Sequence, residues 1–116
     1  MSYDKDLSIV ISLYNEEESL PELIEWIEKV MTKEGYKYEI IMVNDGSTDR
    51  SWKVIEELAA RHPEAKGIKF RRNYGKSPAL YCGFDRAEGD VVITMDAALQ
   101  DSPAEIPGLY RMIAEE

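Results

Sequence analysis

The stretch Val91-Val92-Ile93-Thr94-Met95-Asp96-Ala97-Ala98-Leu99-Gln100-Asp101-Ser102-Pro103 decides the fold of this chain. A β-branched, apolar run ends in a carboxylate, crosses a short acidic loop and meets a Ser-Pro pair of the kind that opens a helix. A strand so continuously apolar is covered on both faces, as in parallel sheets with helices on either side. In such sheets ligands gather beyond the carboxyl ends of the strands, so the carboxylates after Met95 fall where a polyphosphate or a cation would be met.

Working outward, the same alternation recurs along the chain. Leu7 to Leu13 and Tyr38 to Val43 read as buried strands, and Gly67 to Phe70 as a weaker one. Between them, Leu20, Leu23, Ile24, Ile27, Val30 and Met31 fall at helical spacing, with Ser19 and Glu22 as a capping box and Gly35 as the stop near Lys33. Asp49 is placed to cap a second helix bearing Trp52, Ile55, Leu58 and Ala59, which should end near His62-Pro63. Ser77-Pro78 opens a third with Leu80, Phe84 and Ala87 inward. Ser102-Pro103-Ala104-Glu105 opens a fourth with Leu109, Met112 and Ile113. The pattern βαβαβαβα with right-handed crossovers predicts an α/β, Rossmann-like doubly wound parallel sheet of strand order 3-2-1-4.

Composition narrows the function. A chain of 116 residues with 44% hydrophobic content fits one domain, residues 1–116. Its net charge of -9 argues against nucleic acid as a partner, since phosphate-backbone binding rests on accumulated Lys and Arg. The lone Cys82 reads as a small apolar residue. The polar N-terminus and the lack of any long apolar window point to a cytoplasmic protein. No G-x-G-x-x-G follows the first strand and no P-loop lysine motif is present. The single histidine, His62 beside Pro63, leaves a Ser-His-Asp triad without support.

In that topology the loops after strands one, two and four share one sheet edge, and a crevice opens between strands one and four. Tyr14 can stack on a base, Glu16 can accept a hydrogen bond, and Asp45 can hold a base N–H or a ribose hydroxyl. Asn44 to Asp49 equally suits plain turn and cap chemistry, and Glu16 to Glu18 a favourable charge at a helix start. Arg71-Arg72-Asn73-Tyr74-Gly75-Lys76-Ser77 is the one local excess of positive charge. It serves either a phosphate at a helix start or simple surface solubility.

Together, Ile9 to Glu17, Val43-Asn44-Asp45-Gly46-Ser47-Thr48-Asp49, Arg72-Asn73-Tyr74-Gly75-Lys76-Ser77-Pro78-Ala79-Leu80 and Asp96-Ala97-Ala98-Leu99-Gln100-Asp101 resemble the family 2 glycosyltransferases. The likeness is nearest to the polyprenyl-phosphate sugar transferases, and it covers nearly the whole chain but only the front half of such an enzyme. It implies a GT-A fold, a UDP- or GDP-sugar donor, inverting transfer to a lipid-phosphate or glycan acceptor, and Mg2+ or Mn2+. By that pattern Ser12, Tyr14, Glu16, Val43, Asp45, Lys76, Asp96, Ala97 and Ala98 would surround the nucleotide-sugar, with Ser12 where proline is more usual. Asp96 and Gln100 would hold the metal. Ala98 stands at the third position of the Asp-x-Asp motif and offers no lone pair, so metal binding and transfer should be weakened.

The resemblance places the general base and the acceptor site beyond this chain, and the longer enzyme at the cytoplasmic face of a membrane. An open sheet edge makes self-association a further expectation. The alternative is a non-catalytic nucleotide-binding or interaction domain of the same fold. A phospho-acceptor signalling domain would call for a lysine after a fifth strand, for which the chain has no room.

Overall fold

The computed structural model describes residues 5–97 and 103–114. Four strands, β1 (Lys5–Leu13), β2 (Tyr38–Asn44), β3 (Ala65–Lys69) and β4 (Gly89–Asp96), alternate with helices α1 (Leu20–Glu34), α2 (Ser51–Arg61) and α3 (Lys76–Arg86). A 3-10 turn over Pro103–Glu105 leads into α4 (Ile106–Ala114). All strand pairs are parallel, in the order β3-β2-β1-β4, as the sequence predicts.

The period of two along the strands sorts side chains between two unequal layers. Leu7, Ile9, Ile11 and Leu13 of β1, with Ile40 and Met42 of β2, pack against Leu20, Ile24, Ile27 and Met31 of α1 and Ile55 and Leu58 of α2. Val10, Ile41 and Val43 face the other way, where Ala79 and Gly83 of α3 are the buried helical residues. The chain moves from β1 to β3 with its helices on one face. It then crosses back to β4 through α3 on the opposite face, so the direction of winding reverses between β1 and β4. That reversal is the switch point where a crevice forms.

Several local expectations are corrected. β3 begins two residues before Gly67 and ends before Phe70, because Ala65 pairs with Ile40 and Lys69 with Asn44. The capping box at Ser19 and Glu22 does not form, since the Ser19 hydroxyl donates to Glu16 Oε2 at 2.6 Å. Gly35 does end α1, in the left-handed conformation. Asp49 lies one residue before the N-cap Arg50, and its Oδ1 accepts from the Ser51 amide at 2.9 Å. Phe84 is half exposed, because α3 approaches the sheet along Ala79 and Gly83 while Leu80 and Ala87 flank that line. In α4 Ile106 and Pro107 are buried, whereas Leu109, Met112 and Ile113 are exposed. No helix among the described residues is long and apolar enough to cross a membrane.

Candidate functional site

The strand register builds the site. Ser12 pairs with Val43 on one side and Asp96 on the other, aligning the last turns of β2, β1 and β4. The loops then leave on fixed bearings, because the Asp45 amide donates to Leu13 O at 2.9 Å and the Ala97 amide to Ser12 O at 3.1 Å. Ser12, Leu13, Tyr14, Asp45, Asn73, Gly75, Lys76 and Asp96 line the resulting cleft, of about 360 Å3. It lies at the carboxyl ends of β1, β2 and β4.

Asp45 is nearly buried, and its carboxylate organises the wall. Oδ1 accepts from the Tyr74 amide at 2.8 Å and Oδ2 from the Gly75 amide at 3.0 Å. The loop from Arg72 to Lys76 is thus carried to the cleft by β2, and each Asp45 oxygen retains acceptor capacity. Tyr74 is braced from behind by an edge-on contact with Phe70 and by the Arg72 guanidinium, whose Nε donates to the Tyr74 hydroxyl at 3.2 Å. Lys76, the first residue of α3, reaches across to Asp96, with Nζ 2.5 Å from Oδ2.

Sequence reasoning missed Asn15, which fastens two loops together. With a positive φ of 53°, it donates its amide to Ser47 Oγ at 2.9 Å and accepts at Oδ1 from the amides of Thr48 at 2.8 Å and Asp49 at 3.2 Å. Asn tolerates the left-handed region, and its position directly before the acidic run was the available signal. Glu16 and Glu17 continue the lacing, donating amides to Ser51 Oγ and Asp49 Oδ2. Desolvation alone would raise the Asp49 carboxyl, but hydrogen bonds from Ser51 and from the Glu17 amide hold it below the ordinary range.

The predicted residues therefore divide. Ser12, Tyr14, Asp45, Lys76 and Asp96 meet on one cleft. Glu16 lines a neighbouring recess with Asn15, Glu17, Glu18, Ser19 and Asp49. The Val43 side chain is fully buried against Val10, Ile41 and Ala79. Ala97 follows β4 and packs partly against the main core. Ala98 and Gln100 lie outside the described residues.

The sequence model for "Glycosyl transferase family 2" matches residues 8–116. The chain belongs to glycosyl transferase family 2. Among curated family 2 relatives, an undecaprenyl-phosphate 4-deoxy-4-formamido-L-arabinose transferase from Pectobacterium carotovorum is 49% identical over 113 residues. That match takes in 96% of this chain and 34% of the relative. The enzyme of the same name from Pseudomonas aeruginosa is 44% identical over 115 residues, 97% of this chain and 34% of its own length. The chain thus spans about a third of the curated relatives it matches.

Solved structures agree on the fold. Glucosyl-3-phosphoglycerate synthase from Mycobacterium tuberculosis in complex with UDP superposes with a TM-score of 0.76 at 21% identity, covering 97% of this chain and 41% of that one. A mannosyltransferase from Pyrobaculum calidifontis in complex with GDP-Man and Mn2+ gives 0.71 at 23% identity, covering 84% and 31%. The family 2 assignment and the GT-A architecture therefore stand together.

Proposed function

We propose that this chain is the donor-binding part of an inverting glycosyltransferase that uses a UDP- or GDP-sugar and serves a polyprenyl-phosphate acceptor at the cytoplasmic face of a membrane. The observation that carries this reading is the convergence of Tyr14, Asp45, Lys76 and Asp96 on one cleft at the switch point. The names of the relatives supply the acceptor class. In this reading Tyr14, 44% exposed, offers a ring face to the base. Asp45 accepts from base or ribose through the lone pairs its loop contacts leave. Lys76 faces the diphosphate. Both cleft carboxylates are already engaged, Asp45 by two amides and Asp96 by an ammonium. We therefore assign the acceptor and its general base to the length of the relatives that this chain does not span.

The donor set that the resemblance assigns to Mg2+ or Mn2+ fits such a cation poorly. Asp96 is shared with Lys76, and residue 98 is an alanine whose methyl group has no lone pair. This favours, as a second reading, a nucleotide-binding domain that does not itself catalyse transfer. Calorimetric titration of UDP and GDP into this chain separates the outcomes. One nucleotide should bind saturably, and Tyr14→Ala should weaken it roughly five- to a hundredfold through lost stacking. Failure of both nucleotides to bind would overturn the donor-site reading. Metal-stimulated sugar transfer appearing on Ala98→Asp in a chain extended to the relatives' length would decide for the enzyme over the binding domain.

A further inference from the structure

We infer that the Lys76 ammonium takes the place of the divalent cation at the donor diphosphate, so that this chain binds a nucleoside diphosphate without metal. The inference rests on the cleft being the donor site. Lys76 Nζ stands 2.5 Å from Asp96 Oδ2, in front of the one acidic side chain on β4 that lines the cleft. A cation of hard-oxygen preference would have to displace that ammonium, and the sequence has an alanine, with no lone pair, at residue 98, where the family pattern supplies a second carboxylate.

The charge arrangement points the same way. Two carboxylates, Asp45 and Asp96, line a cleft in a chain of net charge -9, so an anion entering it needs a local positive group. Among the described residues Lys76 is the one basic residue lining that cleft, and its side chain stays 54% exposed while Asp96 is only 18% exposed. An ammonium has three donors, and one directed at Asp96 leaves others for a phosphate oxygen. The backbone that carries it is anchored by Asp45, which holds the Gly75 amide directly before it, and Asp96 draws the ammonium to the cleft.

The test titrates UDP and GDP into the wild-type chain, Lys76→Met, Lys76→Arg and the double variant Lys76→Met/Ala98→Asp, each in EDTA and in Mn2+. Wild-type affinity for the nucleotide that binds should agree in the two media within about twofold. Lys76→Met should lose roughly ten- to a hundredfold in EDTA, with binding of the parent nucleoside unchanged and Lys76→Arg retaining most of the affinity. The double variant should recover affinity only with Mn2+, and should bind free Mn2+ by electron paramagnetic resonance where the wild type does not. Wild-type binding that requires Mn2+, or an unchanged affinity of Lys76→Met in EDTA, would overturn the inference while leaving the donor-site reading intact. Absence of binding by the wild type in both media would overturn both.

Discussion

Glu39→Ala is expected to destabilise the chain by about 3–5 kcal/mol in urea denaturation, the largest effect of any single polar substitution proposed for it. Glu39 is fully buried at the entry of β2, on the edge of the sheet opposite the cleft. Its Oε2 accepts from the Ser8 hydroxyl at 2.5 Å and from the Glu88 amide at 2.6 Å, and Lys66 Nζ lies 3.1 Å from Oε1. The Ser8 oxygen in turn accepts from the Gly89 amide at 2.7 Å, so one carboxylate ties β1, β2, β3 and the start of β4. Alanine would orphan the buried Ser8 hydroxyl and the part-buried Glu88 amide, at roughly 1–3 kcal/mol each, and leave a cavity besides. Lys66 is half exposed and would rehydrate at little cost.

The same residue sets an acid limit. Burial alone would raise the Glu39 carboxyl, but the Ser8 hydroxyl, the Glu88 amide and Lys66 outweigh it and bring it below its ordinary value. A carboxyl lowered in the folded state contributes stability that is full above its unfolded value, about 4.3, and is lost as pH falls through the folded one. Asp49, lowered likewise, adds in the same direction. Urea midpoints should therefore fall on acidification below about pH 5, and Glu39→Gln should flatten part of that fall. A Glu39→Ala loss below about 1 kcal/mol, or an acid limb unaltered by Glu39→Gln, would dismiss the network as a stabilising element.

The second large effect belongs to Gly46→Ala, which should cost roughly 2–5 kcal/mol and reduce nucleotide affinity at least about tenfold. Gly46 has φ +72°, and a Cβ there would stand 2.1 Å from Arg72 C and 2.3 Å from Asn73 N. The clash is with backbone, so no rotamer relieves it. The loop it would displace carries Asn73, Gly75 and Lys76 to the cleft. Gly35 is the matched control, with φ +73° and nothing within 4 Å of the built Cβ. Gly35→Ala should show only the left-handed penalty of about 1–2 kcal/mol and leave nucleotide binding unchanged. Equal losses for the two variants by denaturation would refute the contact between the Gly46 turn and the Arg72 loop.

What the sequence displays of this fold follows from how local each cause is. Strand order was legible because apolar runs alternate with amphipathic ones, and alternation permits few parallel topologies. The burial of α3 was misjudged because a 3.6-residue period cannot say which line of a helix touches the sheet. Phe84 looked inward by spacing, whereas Ala79 and Gly83 allow the close approach. Ser19 and Glu22 matched a capping box, but the partner of a hydroxyl is chosen in three dimensions, and Glu16 was nearer. At the cleft, Tyr14, Asp45, Lys76 and Asp96 could be named because each follows a strand end or opens a helix. The bond from Asp45 to the Tyr74 and Gly75 amides spans about thirty residues, and nothing in either segment alone announces it.

The unequal covering of the sheet gives its two sides different lifetimes. Val10, Ile41, Val43 and Ala79 form a thin layer under α3, while α1 and α2 share the broad opposite core. Amide protons of α3 should accordingly exchange through a local opening, well before those of α1, so that α3 comes away ahead of the helices on the opposite face. Because Lys76 begins α3, a ligand that engages it is linked to the opening equilibrium. Binding energy reaches the protein as slowed exchange along one helix before it registers in the stability of the whole.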